Sequence, residues 1–284
     1  MRYFNNQSKI IEMLTHLDFD PVPRRAPTPD EPITVNLRRP PPDVCVPWHR
    51  HDCAQLAYPL RGTIQVAAAG MSWLAPALRA VWIPPGIEHE VRMLGAVELR
   101  TVYVAREAAP LPLDACTVIE VSDLMSALIE ALSQAAQGTA TDGARRQLMM
   151  QLLLGEMARA PALSLGLPLP ADRRLQQVCT ALMADPACAW TLAEWAAQSA
   201  ASERTLARLF KEELGMGFGA WRQRLRLAHA LERIGRGQPL GKVAADLGYA
   251  SQAAFSAMFK RTFGLPPGRF LQARRHVDPG QVVE

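Results

Sequence analysis

The chain has 284 residues, of which 49% are hydrophobic, and 31 Lys and Arg residues stand against 27 Asp and Glu residues, for a net charge of +4. This length and apolar content predict two domains, each with its own core. The sequence has no run of 18 apolar residues and no signal-peptide order at its start, and its five cysteines are scattered without CxxC spacing. We therefore expect a cytoplasmic protein that has no membrane contact, no disulfide framework and no cysteine zinc site.

The first part of the chain predicts a leader and then a β-rich domain. Residues 1–22 are interpreted as a leader in which one helical stripe can form from Ile10, Ile11, Leu14 and Leu17. Residues 23–116 change to short β-type runs separated by Pro and Gly. The predicted strands are Ala54–Leu60, Thr63–Ala68, Ala80–Ile83 and Glu98–Val104. Short strands at this spacing favour a sandwich or a small barrel.

Three histidines within this region have the spacing of a metal site. His49 and His51 alternate on a strand and so face the same side, and His89 follows a Pro-x-Gly turn at residues 84–86. Three imidazoles can converge on one divalent ion such as Zn, Ni or Fe. The spacing resembles the two cupin motifs, His-x-His-x3-Glu-x6-Gly and Pro-x-Gly-x2-His, with Gln55 in place of the glutamate and Gly62 at the glycine.

The cupin resemblance implies a sensing domain, and it gives two readings of the histidines. In the first, His49, His51 and His89 are metal ligands; in the second, they form hydrogen bonds within a pocket or contact a ligand directly. The predicted effector-binding residues are His49, His51, Gln55, Trp82 and His89. The aromatic residues Trp48, Tyr58, Trp73 and Trp82 either line an apolar cavity beside the histidines or fill the core.

Two apolar helices are predicted next, at Ser122–Ala136 and Ala144–Ala160. In the first helix, Leu124, Ala127, Leu128, Ala131 and Leu132 share one face. Residues 117–160 are therefore interpreted as a helical dimerisation segment, and packing of these helices on the β domain is the alternative reading. Residues 161–171 follow as a predicted linker, because three prolines and a glycine in ten residues oppose a continuous helix.

The region after residue 171 contains one helical device twice. Residues 172–284 hold 16 Lys and Arg residues against 10 Asp and Glu residues, a basic excess suited to the DNA backbone. Each copy, Thr191 to Lys211 and Val243 to Lys260, reads as a helix-turn-helix whose second helix opens on a serine, Ser202 or Ser251. In such a unit the second helix enters the major groove. Two units on one chain therefore predict two adjacent groove contacts.

Local signals predict the helix boundaries of this half. Asp172 caps a helix that runs to about Ala184, Thr191 and Glu194 have capping-box spacing, and Ser202 caps the next helix. Residues 217–234 predict one helix about 27 Å long, which can hold two reading helices about one turn of DNA apart. In the second copy the turn is one residue longer, and Gly248 is expected to adopt a positive φ.

The exposed starts of the two second helices give the predicted base and phosphate contacts. Arginine forks suit guanine or phosphate, and Gln252 suits adenine, whereas Ala253 and Ala257 offer only methyl groups. The second unit is therefore predicted to be the less selective reader. The predicted DNA-binding residues are Ser202, Arg204, Arg208, Lys211, Ser251, Gln252, Ser256 and Lys260.

Residues 172–275 resemble the DNA-binding domain of the AraC/XylS family of bacterial transcription regulators. The resemblance rests on the helix order, the Leu-Gly-Tyr-Ala-Ser turn at 247–251 and the ending Phe-Lys-Arg-Thr-Phe-Gly-Leu-Pro-Pro-Gly-Arg-Phe at 259–270. Departures are Ala257 where many members carry arginine, Pro266 for serine or threonine, and Ser199-Ala200 for Leu-Gly. The resemblance implies that Arg204, Arg208, Gln252 and Ser256 are recognition residues.

Together these features predict an α+β multidomain protein. Its expected parts are a cupin-like β-barrel with a helical dimerisation segment and an all-α domain, residues 172–284, of two helix-turn-helix units joined by a long helix. The expected function is a sequence-specific transcriptional regulator, not an enzyme, that senses a small-molecule or metal effector. Its expected partners are double-stranded DNA, a second copy of the chain and, for an activator, RNA polymerase; activation and repression both remain open. The alternatives are a cupin metalloenzyme, a dioxygenase or isomerase, fused to a DNA-targeting module, and a constitutive architectural DNA binder.

Overall fold

A computed structural model describes residues 25–77, 79–135, 143–163, 166–235 and 237–272. The predicted leader at residues 1–22, with its apolar stripe, lies outside the described residues. The chain divides into two compact units, the first ending at Gly166 and the second beginning at Leu167. Within the described residues, no helix is long and apolar enough to cross a membrane.

The first unit is built on an antiparallel sheet. The order of its strands is β1-β6-β3-β5-β7-β8, with β2 paired to β6 and β4 paired to β3. The strands of the chain are β1 (Ile33–Arg38), β2 (Cys45–His49), β3 (Ala54–Ala68), β4 (Met71–Pro76), β5 (Arg79–Ile83), β6 (His89–Val104), β7 (Thr117–Glu120), β8 (Ala162–Leu163) and β9 (Gly166–Pro168), with a 3-10 turn at Arg106–Ala108. β8 lies inside the predicted linker, so that segment contributes to the sheet.

The long strands β3 and β6 pair from Ala54–Val104 to Ala68–His89. The sequence predicts two strands, Ala54–Leu60 and Thr63–Ala68, where the structure has the single strand β3. The pairing register shifts on both sides of Arg61, and Gly62 has a φ of 84°. The glycine therefore forms a bulge that bends the strand without ending it.

Alternation along the strands divides the apolar side chains of the first unit between two clusters. The first cluster includes Val46, Ile64, Val66, Ile83 and Val91. The second cluster includes Leu56, Trp82, Val102 and Val104, together with side chains of the two helices α1 (Asp123–Ala135) and α2 (Gly143–Arg159). The helices therefore pack on the sheet, which was the alternative reading of this segment, and the division into 23–116 and 117–160 stays a prediction.

The buried face of α1 is rotated by about one residue from the predicted face. Met125, Leu128, Ile129 and Leu132 are buried, whereas Leu124 is exposed. Packing against the sheet selects this face, because the apolar residues of α1 extend over more than one side of the helix. Leu148 and Leu152 of α2 are also exposed.

The second unit is helical, and its helices begin at the predicted caps. Asp172 accepts a hydrogen bond from the Arg174 amide, Thr191 and Glu194 form a complete capping box, and Ser202 and Ser251 each cap a second helix. The helices are α3 (Arg173–Ala184), α4 (Leu192–Gln198), α5 (Glu203–Leu214), α6 (Phe218–Gly235), α7 (Leu240–Asp246), α8 (Gln252–Phe263) and α9 (Pro267–Gln272). Both fold predictions, the β domain and the two helix-turn-helix units joined by a long helix, are confirmed.

The long helix α6 serves both helix-turn-helix units. Trp221 and Leu225, in its first half, belong to a third apolar cluster with side chains of α3, α4 and α5. Further along, Leu227 and Ile234 are buried, and α6 contacts α7, which contacts α8. The Trp221 indole also donates a hydrogen bond of 2.9 Å to the Pro168 carbonyl.

Candidate functional site

The three predicted histidines converge at one end of β2 and β6. His49 ends β2 and is the register partner of His89, which begins β6, while His51 lies in the turn before β3. The ring centroids of His49 and His89 are 4.2 Å apart, and those of His51 and His89 are 5.1 Å apart. One ring nitrogen from each histidine lies within 4.8 Å of the other two. The three side chains are thus close enough to hold one metal ion.

Backbone carbonyls orient all three rings. The Nδ1 atom lies 2.8 Å from the Pro47 carbonyl in His49, and 2.8 Å from the Ile87 carbonyl in His89. In His51 the corresponding distance, to the Cys53 carbonyl, is 2.7 Å. A carbonyl only accepts, so each Nδ1 carries a proton, and a neutral ring then presents a lone pair at Nε2. This is the tautomer that metal-binding histidines adopt.

His89 provides the most direct indication of a ligand. Its side chain is fully buried, and its Nε2 atom has no hydrogen-bond partner among the described residues. Burial, reinforced by the neighbouring His49, lowers the pKa of His89 to about 3. The ring is therefore neutral, and its unpaired lone pair carries a desolvation cost that a bound cation would remove. The donor set fits a divalent ion.

Gln55 changes the chemistry of the cupin position that it occupies. It is buried, and its Oε1 atom lies 2.6 Å from His51 Nε2. With Nδ1 of His51 donating to the Cys53 carbonyl, its Nε2 lone pair faces the Gln55 amide, whose NH2 group donates to it when the amide is turned over. A metal ion at His51 would displace this contact, so the Gln55 amide would have to turn away or offer its oxygen as a neutral ligand.

Trp82 packs on a different side of the sheet from Gln55, and its predicted role in binding an effector stays a prediction. Trp82 pairs with Leu56, and both side chains belong to the second apolar cluster, whereas Gln55 pairs with Ile83. Adjacent strand residues face opposite sides, so Trp82 lies behind the sheet from Gln55. Its indole donates to the Pro112 carbonyl at 2.8 Å.

The other predicted aromatic residues are distributed over both sides of the sheet and its surface. Tyr58 packs in the second cluster, Trp73 packs in the first, and Trp48 is exposed. Tyr103, which the sequence analysis missed, has its ring centroid 5.5 Å from that of His51. The pairing of Tyr103 with Gln55 positions it there, and only the β3–β6 register reveals this pairing.

A cleft of about 820 Å³ opens beside His51. Its polar lining includes Arg50, Asp52, Arg106 and Glu107, so both signs of charge are present, and Cys53 also contributes. None of these residues was predicted from the sequence as part of the site. Space and polar groups for an organic ligand therefore lie next to the histidines.

The first reading helix, α5, presents a basic face. Arg204, Arg208 and Lys211 are exposed, while Leu206 and Phe210 are buried in the third apolar cluster. Ser202 caps the helix by accepting a hydrogen bond of 3.1 Å from the Thr205 amide, so its hydroxyl is at the helix start. The predicted DNA-binding residues of the first helix-turn-helix unit thus share one end and one face of α5.

An acidic residue that the sequence analysis did not consider contacts this face. The guanidinium of Arg208 forms an ion pair of 2.5 Å with Glu212, one helical turn later, and both side chains are more than half exposed. The i,i+4 spacing is the sequence signal that could have revealed the pair. The ion pair engages Nη1 of Arg208, so Glu212 competes with a base or a phosphate for this guanidinium.

The second reading helix, α8, is less polar. Ser251, Gln252 and Lys260 are exposed, and Ser256 is half-buried. The exposed start of the helix also carries Ala253 and Ala257, which offer methyl groups only. Few hydrogen-bonding groups are therefore available on this face for contact with bases.

Known proteins resemble both units of the chain. The sequence profile of an AraC-like ligand binding domain matches residues 34–153, and that of a helix-turn-helix domain matches residues 195–273. The HTH-type transcriptional regulator NimR of Escherichia coli is 34% identical over 233 residues, which is 82% of this chain and 85% of NimR. The arabinose operon regulatory protein of Escherichia coli is 28% identical over 52% of this chain and 50% of its own.

A solved structure of ToxT from Vibrio cholerae aligns with 85% of this chain and 98% of its own at 10% identity, with a TM-score of 0.36. The identity to NimR extends over most of both chains. The chain thus belongs to the AraC family of transcriptional regulators, as a DNA-binding protein with an N-terminal ligand-binding domain.

Proposed function

We propose that this regulator reads two adjacent major-groove segments with α5 and α8, under the control of an effector bound at the histidine cluster. The observation that carries the effector site is the buried, unpartnered Nε2 atom of His89 beside two further imidazoles. The DNA site is supported by two serine-capped helices, of which α5 presents an exposed basic face.

We assign the DNA contacts of the first helix-turn-helix unit to Ser202, Arg204, Arg208 and Lys211. Those of the second helix-turn-helix unit are assigned to Ser251, Gln252, Ser256 and Lys260. Arg208→Ala should cost about 1–3 kcal/mol of specific binding and relax sequence preference at one position, if this side chain meets a guanine. Lys211→Ala is the matched comparison, because a phosphate contact weakens binding to every duplex equally and reduces the salt slope by about 1. Equal weakening on all duplexes by Arg208→Ala would reassign Arg208 to the backbone.

For the effector, we propose that His49, His51 and His89 hold one divalent metal ion such as Zn, Ni or Fe. When bound, the ion would supply a positive charge and open coordination positions for an oxygen or nitrogen atom of a small molecule in the adjacent cleft. The Nδ1 hydrogen bonds to backbone carbonyls would hold the three rings in place for such an ion. Direct contact of a small molecule with the same imidazoles is the alternative.

Elemental analysis of the purified full chain, with thermal unfolding before and after chelation, distinguishes these two modes. We expect about one ion per chain and a chelator-sensitive transition, both lost in His89→Ala. His229→Ala is the control, because His229 is a partly buried histidine of α6 outside the cluster. A metal-free protein that ignores chelators would leave the organic-ligand pocket as the effector mode.

We further propose a homodimer formed through α1 and α2. The support is the exposure of Leu124, Leu148 and Leu152, the last two one turn apart on α2. A dimer would place two DNA-binding units on repeated half-sites and raise avidity without new contacts. Sedimentation of Leu148→Glu tests the interface, with Leu265→Glu, an exposed leucine of the second unit, as the control; a dimer that survives Leu148→Glu would contradict it.

The remaining proposals follow from family membership. We propose that the protein acts in the cytoplasm and has no catalytic activity, since its relatives are transcriptional regulators and Gln55 replaces the carboxylate of the cupin motif. Contact with RNA polymerase is expected if it activates transcription. Reporter assays with and without candidate effectors separate activation from repression.

A further inference from the structure

Arg226, near the middle of α6, contacts both helix-turn-helix units at once. Its Nε atom donates a hydrogen bond of 2.7 Å to the Pro186 carbonyl, and its Nη2 atom lies 3.4 Å from the carbonyl oxygens of both Ala187 and Cys188. These three consecutive carbonyls belong to the loop between α3 and α4. A planar guanidinium can donate in several directions from a fixed fork, which a lysine ammonium cannot reproduce.

The loop at residues 186–188 is anchored to the first helix-turn-helix unit. Cys188 packs against the third apolar cluster, which contains side chains of α3, α4 and α5. The loop is also ordered internally, because the Ala187 amide donates to the Asp185 carboxylate at 3.1 Å. A contact with this loop is therefore a contact with the body that carries the first reading helix.

The same arginine contacts the second helix-turn-helix unit through Tyr249. The Cζ atom of Arg226 lies 5.8 Å from the centroid of the Tyr249 ring, within the range of a cation–π interaction. Tyr249 in turn makes an edge contact with Phe255, a fully buried residue of α8, at 5.5 Å between centroids. A continuous series of contacts thus joins the loop of the first helix-turn-helix unit to the core around the second reading helix.

The turn of the second helix-turn-helix unit approaches the loop at residues 186–188 closely enough to require glycine. Gly248 has a φ of 72°, and a Cβ added there would lie 3.0 Å from the Ala187 carbonyl oxygen and 3.2 Å from Nη2 of Arg226. The two helix-turn-helix units therefore meet at a second place besides α6. Two points of attachment oppose rotation of one helix-turn-helix unit about α6, whereas one point allows it.

We infer that Arg226 is a positioning residue that fixes the second reading helix relative to the first and so sets the spacing of the two DNA subsites that the protein accepts. This inference rests on the proposed reading of two adjacent groove segments. One base pair inserted between the subsites moves the second by about 3.4 Å and rotates it by about 35°. A rigid pair of readers loses contacts on such a duplex, whereas a pair that can rotate recovers them.

The test begins with duplexes that the full chain selects from a library of random 30-bp sequences. Absence of enrichment would refute the proposed DNA reading itself. Enrichment of one sequence block without a second would leave DNA binding intact but overturn the inference, because the protein would then read a single subsite and Arg226 would set no spacing.

With two blocks, affinities are compared on the selected duplex and on duplexes with one base pair added or removed between the blocks. We expect the wild type to lose about tenfold or more on the altered duplexes, the effect of losing about one base contact. Arg226→Met should lose less than about threefold on the same duplexes while it binds the selected duplex more weakly. An unchanged spacing profile in Arg226→Met would overturn the inference.

Two further variants make the result specific. Arg222→Met removes the same charge one turn earlier on α6, where the guanidinium donates to the Trp190 carbonyl at 3.0 Å, and it should keep the steep spacing profile. Arg226→Lys retains the charge and serves if Arg226→Met fails to fold, which circular dichroism will show. Arg226→Lys should also tolerate altered spacing, and a wild-type profile in a folded Arg226→Lys would overturn the inference.

Discussion

Replacement of Gly62 by alanine should destabilise the first unit by far more than the same change at Gly70. Both glycines have positive φ, 84° at Gly62 and 71° at Gly70. An L-residue in this region of backbone space costs about 1–2 kcal/mol, and fewer unfolded conformations for alanine return about 0.4–1 kcal/mol. Backbone strain alone therefore predicts a loss of about 1 kcal/mol at either position.

The surroundings of the two glycines differ. A Cβ at Gly62 would overlap the Ala96 carbonyl oxygen and would lie 2.9 Å from Cγ2 and 3.0 Å from Cα of Val97, whereas at Gly70 no atom lies within 4 Å. The atoms at Gly62 include backbone of the paired strand β6, so relief requires the β3–β6 pair to shift. Overpacking of this kind costs about 1–3 kcal/mol, which brings the total for Gly62→Ala to about 2–4 kcal/mol.

Hydrogen exchange measured by mass spectrometry can assign the loss to a unit. Peptides from β3 and β6 should lose protection in Gly62→Ala by the predicted free energy, and peptides from α3 to α8 should not change. Gly70→Ala should lower the protection of the same β peptides by about 1 kcal/mol. Equal effects of the two substitutions would refute the argument that close approach of β6, and not φ alone, requires glycine at residue 62.

Three more predictions concern the second unit. Glu212→Gln releases Arg208 and removes a negative charge beside the DNA, so fluorescence anisotropy should show up to about fivefold tighter binding to any duplex, since an exposed pair contributes at most about 1 kcal/mol; unchanged affinity would contradict it. Trp221→Phe removes the hydrogen bond to the Pro168 carbonyl and should lower the free energy of unfolding by about 1–3 kcal/mol in urea titrations, and an unchanged value would contradict a contribution from this bond. The backbone amide and hydroxyl of Thr191 donate to Glu194 and hold the pKa of its carboxyl below the ordinary 4.5, so its contribution is complete above that pH and declines as the pH falls through the lowered pKa. Wild type and Glu194→Gln should therefore differ in thermal stability at pH 7 and converge in acid; a difference that persists at low pH would show that the charge is not its source.

The sequence by itself determined the features that depend on near neighbours in the chain. Helix caps use a side chain and an amide two or three residues apart, so Asp172, Thr191, Ser202 and Ser251 could be predicted as helix starts. The repeated helix-turn-helix pattern followed from the same local signals. The convergence of the three histidines was also predictable, because the cupin motifs carry their spacing and the structure brings one ring nitrogen of each within 4.8 Å of the others.

The tertiary structure decided which side of an element faces which partner. Trp82 lies behind the sheet from the histidines, and Tyr103 lies beside them, because the registers of β3 with β5 and β6 determine these faces. The buried face of α1 depends on the sheet beneath it. Arg226 contacts carbonyls about 40 positions earlier in the chain, and no local pattern specifies such a partner. Strand register and long-range packing depend on the summed energy of many distant contacts, so residue spacing alone could not provide them.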